Sequence, residues 1–216
     1  MNSSLLSLLV LAGIAVFLIL RLRSVLGSRD GFEKPPAPAG TRVRREFEVI
    51  EGGPDEDITD HVEDGTDSAK ALAAMKMAEP GFRVGEFLGG ARQAYEMILM
   101  AFESGDVEGL RPFLAPDVLE TFEQVINQRN EQGLKIEAEF IGVREITLQG
   151  ATFDRATSVG EITVRFVSEL TSVVRNAEGE IIEGDSTAIK RQRDVWTFAR
   201  SMGSDDPNWA LVATDG

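Results

Sequence analysis

Asp194 is the carboxylate whose neighbours come closest to describing chemistry, since it precedes Trp196 on an otherwise apolar run. A carboxyl buried inside an apolar fold has a raised pKa and can act as a general base. Arg191 and Arg193 flank it and favour the ionised form, so the run Lys190 to Asp194 reads first as structural ion pairing on an outer sheet face. His61 lies in the acidic run Ile58 to Asp64, whose carboxylates suit a divalent cation by type. The run lacks the glycine-punctuated spacing of a calcium loop and reads as a solvated charge run. With one histidine and no cysteine, the chain has no imidazole cluster, His-based triad, thiolate zinc site or cysteine nucleophile. No phosphate-cradling glycine loop or nucleophile elbow occurs, and the pair Gly89-Gly90 sits in a helical pattern where close packing explains it. No catalytic, cofactor or metal residue is assigned, and the chain is expected not to be an enzyme.

Thirty-six acids against 22 bases give the 216 residues a net charge of −14, which opposes broad contact with nucleic acid. A local patch of Lys190, Arg191, Arg193 and Arg200 would be the exception, and would suit a ribosome-docking receptor.

The elements that would position these groups begin with an uncharged stretch, Ser3 to Leu20, containing Leu5, Leu9, Ile14, Phe17 and Leu20. At about 1.5 Å per residue it spans roughly 27 Å, close to the thickness of a hydrocarbon core. No basic residue precedes it and Arg21, Arg23 and Arg29 follow, so it reads as a membrane anchor over residues 1–26 and not a cleaved signal peptide. The positive-inside rule then puts the N-terminus outside and the rest on the cytoplasmic side of a bacterial inner membrane. Residues 27–68 are rich in proline, glycine and acids, have no sustained apolar period, and read as a disordered linker.

Residues 69–216 carry the periodicities of one α+β domain. Ala69 to Ala78 is a short helix former capped by Asp67 or Ser68, on which Lys70, Met75 and Lys76, with Arg83 beyond, are candidate contacts for lipid or a partner. Leu88, Ala91, Tyr95, Ile98, Leu99 and Phe102 recur at threes and fours, and a further helix opens at Pro116. Past Gly133 the period changes to two, with strands beginning near Leu134, after Gly160, near Ser186 and after Asn208. Helices first and meandering strands afterwards give helices packed on a curved antiparallel four-stranded sheet.

Phe87 to Asp106, Leu110 to Val118, Asp194 to Arg200 and Pro207 to Leu211 together resemble the C-terminal domain of the mitochondrial inner-membrane translocase subunit forty-four and its alphaproteobacterial relatives. The resemblance covers about 130 residues and rests on Tyr95, Phe102, Pro112, Trp196, Phe198, Arg200, Asn208 and Trp209 as structural motif positions. It implies a cone like that of nuclear transport factor two, with a hydrophobic pocket between helices and sheet. It also implies a non-enzymatic scaffold or adaptor at the inner membrane, whose partners are acidic lipid and components of protein transport or membrane-protein assembly. The mitochondrial members precede this domain with a long chaperone- and channel-binding region, whereas here an apolar stretch and acidic linker stand in that place, so chaperone tethering is not carried over. A homo-oligomer is left open. Cones of this kind also host small-molecule enzymes such as ketosteroid-type isomerases, and a pocket-facing acid would separate that alternative from the scaffold.

Overall fold

The apolar stripe that sequence periodicity places on Leu88, Tyr95, Ile98 and Leu99 is buried along one face of a 21-residue helix, and the sheet closes over it. The computed structural model describes residues 55–215. Its helices are α1 (Glu56–Thr59), α2 (Asp67–Ala78), α3 (Val84–Ser104), α4 (Val107–Leu110) and α5 (Pro116–Glu131). Four strands follow: β1 (Lys135–Asp154), β2 (Val159–Arg175), β3 (Ile181–Ser201) and β4 (Ala210–Asp215). They form one antiparallel sheet in the order β1-β2-β3-β4, so the protein is an α+β fold with helices packed on a four-stranded meander.

The sequence dictates the ends of these elements. Gly105 closes α3 in the left-handed conformation, which glycine adopts without steric cost. Pro116 opens α5, where its missing N–H is not needed. The cap of α2 is Thr66, not Asp67 or Ser68, and its hydroxyl accepts from the Ala69 N–H. Three register shifts in β1, the first between Phe140 and Gly142, bend that strand. β3 starts at Ile181, five residues before the sequence signal, because Asn176 bonds Glu180 through backbone and side chain and turns β2 straight into it.

The core lies between α2, α3 and α5 and the inner sheet face. Tyr95 of α3 stacks on Phe166 of β2 at 4.3 Å between ring centroids and meets Trp196 of β3 at 4.6 Å and Phe140 of β1 at 6.3 Å. One helical side chain therefore touches three strands. The connection from α4 to α5 runs beside β4, with Ala115 N–H donating to the Leu211 carbonyl and Leu211 N–H donating to that of Phe113.

The folded body starts before the boundary expected at Ala69. Ile58 is buried in the core, and Asp57 accepts from the N–H groups of Val84 and Gly85 at 2.9 and 3.0 Å. α3 has no side-chain cap of its own at Arg83, so Asp57 supplies that cap from 27 residues upstream. Leu5, Leu9, Ile14, Phe17 and Leu20, with the rest of the expected anchor and most of the expected linker, lie outside the described residues. Among the described residues no helix is long and apolar enough to cross a membrane.

Candidate functional site

Strand alternation sends Asp194, Trp196 and Phe198 to the same side of β3, where they oppose Phe166, Val164 and Ile162 of β2. Asp194 therefore faces the helices. The Tyr95 hydroxyl donates to its Oδ2 at 2.5 Å, Gln192 Nε2 donates to its Oδ1 at 3.0 Å, and the Tyr95 and Ser168 hydroxyls lie 2.8 Å apart. This corrects the expectation of an outer-face ion pair. Arg191 instead reaches across the outer face to Glu169, which also binds Arg144 at 2.6 Å. Burial, reinforced by the adjacent Asp194 carboxylate, pushes the Tyr95 phenol well above its ordinary range. Tyr95 and Ser168 are fully buried and Asp194 half-buried, so this hydrogen-bonded cluster ties α3 to the sheet at the edge of the core.

An open groove of about 360 Å³ runs along α3 from Glu86 to Met97. Its floor is aromatic: Phe87 lies 4.6 Å from Trp209 and 6.1 Å from Phe198, and Phe82 lies 5.9 Å from Trp209. Gly90, Ala94 and Met97 form the α3 wall. A Cβ at Gly89 or Gly90 would meet nothing within 4 Å, so the close packing expected of this pair is absent and Gly90 instead keeps the wall low.

Arg200 forms the polar end of the groove. Its guanidinium donates to Glu79 Oε2 at 2.5 Å and to the Pro207 carbonyl at 3.1 Å, and sits 5.3 Å from the centre of the Trp209 ring. The N–H of Gly203 also donates to Glu79; with Arg200 it outweighs partial burial and holds this carboxyl below its ordinary value. The Arg200 side chain is 8% exposed, yet its Nε has no hydrogen-bond partner among the described residues. A buried unpaired donor of this kind costs about 1–3 kcal/mol.

The residues singled out from sequence are distributed as follows. Trp196 and Tyr95 belong to the core, Phe198, Arg200, Asn208 and Trp209 line the groove, and Asn208 is oriented by Asp206 through its N–H and side-chain amide. Phe102 packs on Phe122 at 4.7 Å under the Arg129 guanidinium, and Pro112 is an exposed residue of the turn after α4. Among the candidate contacts, Lys70 and Arg83 are exposed, and Arg83 stands on the groove rim. Met75 is fully buried and Lys76 is held by Asp55 and Asp57 at 2.7 and 2.6 Å, so neither is free to meet a bilayer or partner. Arg200 is likewise removed from the expected basic patch by its pairing with Glu79. The groove residues Glu79 and Phe82 carried no local signal, because the pairing that makes the site spans 121 residues of sequence.

The chain is 23% identical over 150 residues to the human mitochondrial import inner membrane translocase subunit TIM44, and 22% identical over 152 residues to TIM44-1 of Arabidopsis thaliana. Each match takes in 68% of this chain but 33% and 32% of the relative, so it spans about a third of those proteins. A solved structure, the intermembrane space region of the chloroplast protein ARC6, aligns with a TM-score of 0.39 at 12% identity, over 61% of this chain and 92% of that one. The family model for the Tim44-like domain matches residues 68–216, the whole run from α2 through β4, and the chain belongs to that family.

Proposed function

We propose that this protein is a non-enzymatic adaptor of protein transport or membrane-protein assembly. A single N-terminal span holds it in a bacterial inner membrane, N-terminus outside, and its Tim-like body faces the cytoplasm. The groove beside Arg200 receives an apolar segment of a protein partner, while Lys70 and Arg83 meet inner-membrane lipid. The observation that carries this reading is the contrast between the two polar centres. The cluster of Tyr95, Ser168 and Asp194 is bonded among its own members against the core, and the groove offers an open aromatic floor beside the Arg200–Glu79 pair. Aromatic anchors around a pocket are the usual centre of a protein-binding surface. A peptide supplies an apolar side chain for that floor. Membership in a family whose relatives are translocase subunits supports the same direction.

The test places a photocrosslinking amino acid at Met97, 46% exposed on the groove wall, and at Met77, 83% exposed outside it, in the full chain in native membranes. A discrete protein adduct from Met97 and not from Met77 is expected, and it should vanish with Trp209→Ala. Lipid adducts alone, or equal capture from both positions, would overturn the adaptor reading.

A further inference from the structure

We infer that the edge of β3 from Lys190 to Asp194 takes up a short, acidic, extended segment of another protein as an added strand. β4 pairs only with Val195 to Ala199, so in the lane beyond Asp215 these residues have no strand beside them among the described residues. Their backbone is regular. From Lys190 to Ser201 the register with β2 runs without a break, and outside that ladder no backbone group bonds the main chain of Lys190 to Asp194 among the described residues. The bulge that blunts the edge lies before this stretch, where Ser186 to Ile189 have no partner on β2.

The sign of the partner follows from the charges. Residues opposite one another in the ladder share a face, so Arg191 and Arg193, opposite Glu169 and Val167, project from the outer face, and Lys190, opposite Leu170, from the inner one. Arg193 has no ion-pair partner among the described residues. Lys190 bonds the Ser172 hydroxyl at 3.3 Å, and Glu103 faces its charge without forming an ion pair. Arg191 shares the Glu169 carboxylate with Arg144, two guanidiniums on one acid, and both are more than half exposed. The Asp194 carboxylate is taken by Tyr95 and Gln192. In a chain of net charge −14, an excess of positive charge thus stands beside open backbone groups. Basic side chains on an edge repel another basic strand and attract one that carries acids. A strand continuing the direction of β4 sets acids opposite Arg193 and Arg191, and an apolar side chain beside Ile189, which is 60% exposed. Asp215 at one end of the lane and Asp185 beyond the bulge at the other keep the acidic segment short. This edge is separate from the groove and does not rest on the adaptor reading.

The probe is a fluorescein-labelled peptide, Glu-Thr-Glu-Thr-Val, titrated into the millimolar range against the full chain in detergent micelles and followed by anisotropy. Saturable binding is expected, with slower hydrogen exchange confined to the Lys190–Asp194 edge. Lys190→Glu combined with Arg193→Glu should weaken binding about tenfold, since each reversal replaces an attractive cross-strand pair with a repulsive one. On the unaltered chain, exchanging both peptide glutamates for lysine, or methylating the amide nitrogens along its bonding edge, should abolish binding. The inference is overturned by the absence of saturable binding, by equal binding of the methylated peptide, which would mean charge attraction without strand pairing, or by tighter binding of a labelled uridine oligonucleotide, which would name a phosphate backbone as the occupant. Each of these results is independent of capture from Met97.

Discussion

Replacing Asp57 with asparagine removes the charge and one of the two acceptor oxygens that cap α3 from outside the helix, and the size of the loss follows from the proton affinity of that carboxyl. Burial pushes the Asp57 carboxyl up, but the Lys76 ammonium and the N–H groups of Gly85 and Val84 more than reverse this, bringing it from 3.8 to about 2. At about 1.4 kcal/mol per tenfold change in proton affinity, that drop bounds the stabilisation near 2.5 kcal/mol at neutral pH. The side chain is 25% exposed, and solvent screening lowers the expected loss in Asp57→Asn to about 1–2 kcal/mol. Because the folded value lies below the unfolded one, the contribution is complete above about pH 4 and disappears as pH falls through 2. Urea unfolding of the full chain in detergent micelles, followed by fluorescence of Trp196 and Trp209, reads this directly. At pH 7 the midpoint should fall by roughly 0.5–1 M, given a slope of about 2 kcal/mol/M. At pH 3 the gap between the variant and the parent should be about half as large. An unchanged midpoint at pH 7, or a gap of the same size at both pH values, would refute the capping argument.

Tyr95→Phe leaves the Asp194 carboxylate and Ser168 without their shared partner, and should cost about 1–3 kcal/mol, a fall in Tm of roughly 2–4 °C for each kcal/mol. Tyr95 is the single tyrosine, so alkaline titration at the tyrosinate absorption band should show no ionisation in the ordinary phenol range until the chain unfolds. Gly184→Ala should destabilise the β2–β3 hairpin, since φ is +85° and an added Cβ would stand 2.2 Å from the Ser172 carbonyl oxygen. Thermal melting should fall by an amount matching at least 1 kcal/mol, and faster hydrogen exchange should be confined to the hairpin around the substitution.

The class of fold was legible because the two periods occupy separate halves of the body. Leu88 to Phe102 repeat at threes and fours, and Ile162 to Phe166 alternate, and both patterns come from burial of one face. The site was less legible because its contacts join distant segments. Nothing local marks Asp57 as the cap of a helix that begins 27 residues later, or Glu79 as the partner of an arginine 121 residues away. Composition drew the linker through Ser68, since acids and glycines dominate there, while a single apolar residue, Ile58, inserts into the core and brings the acids around it onto the body.

Asp194 shows where a readable signal was weighed against the wrong neighbours. Adjacency in sequence set it beside Arg193, yet consecutive strand residues point to opposite faces, so Arg193 is the neighbour least able to pair with it. Its face is given by Trp196 and Phe198, two and four residues on, both buried. The same alternation explains the outer face. Arg191 and Arg193 cannot bond to an acid next to them in the strand and must look across it; β2 offers Glu169 opposite Arg191 but Val167 opposite Arg193. One guanidinium is thus absorbed by the sheet and the other is left projecting without an acid opposite it.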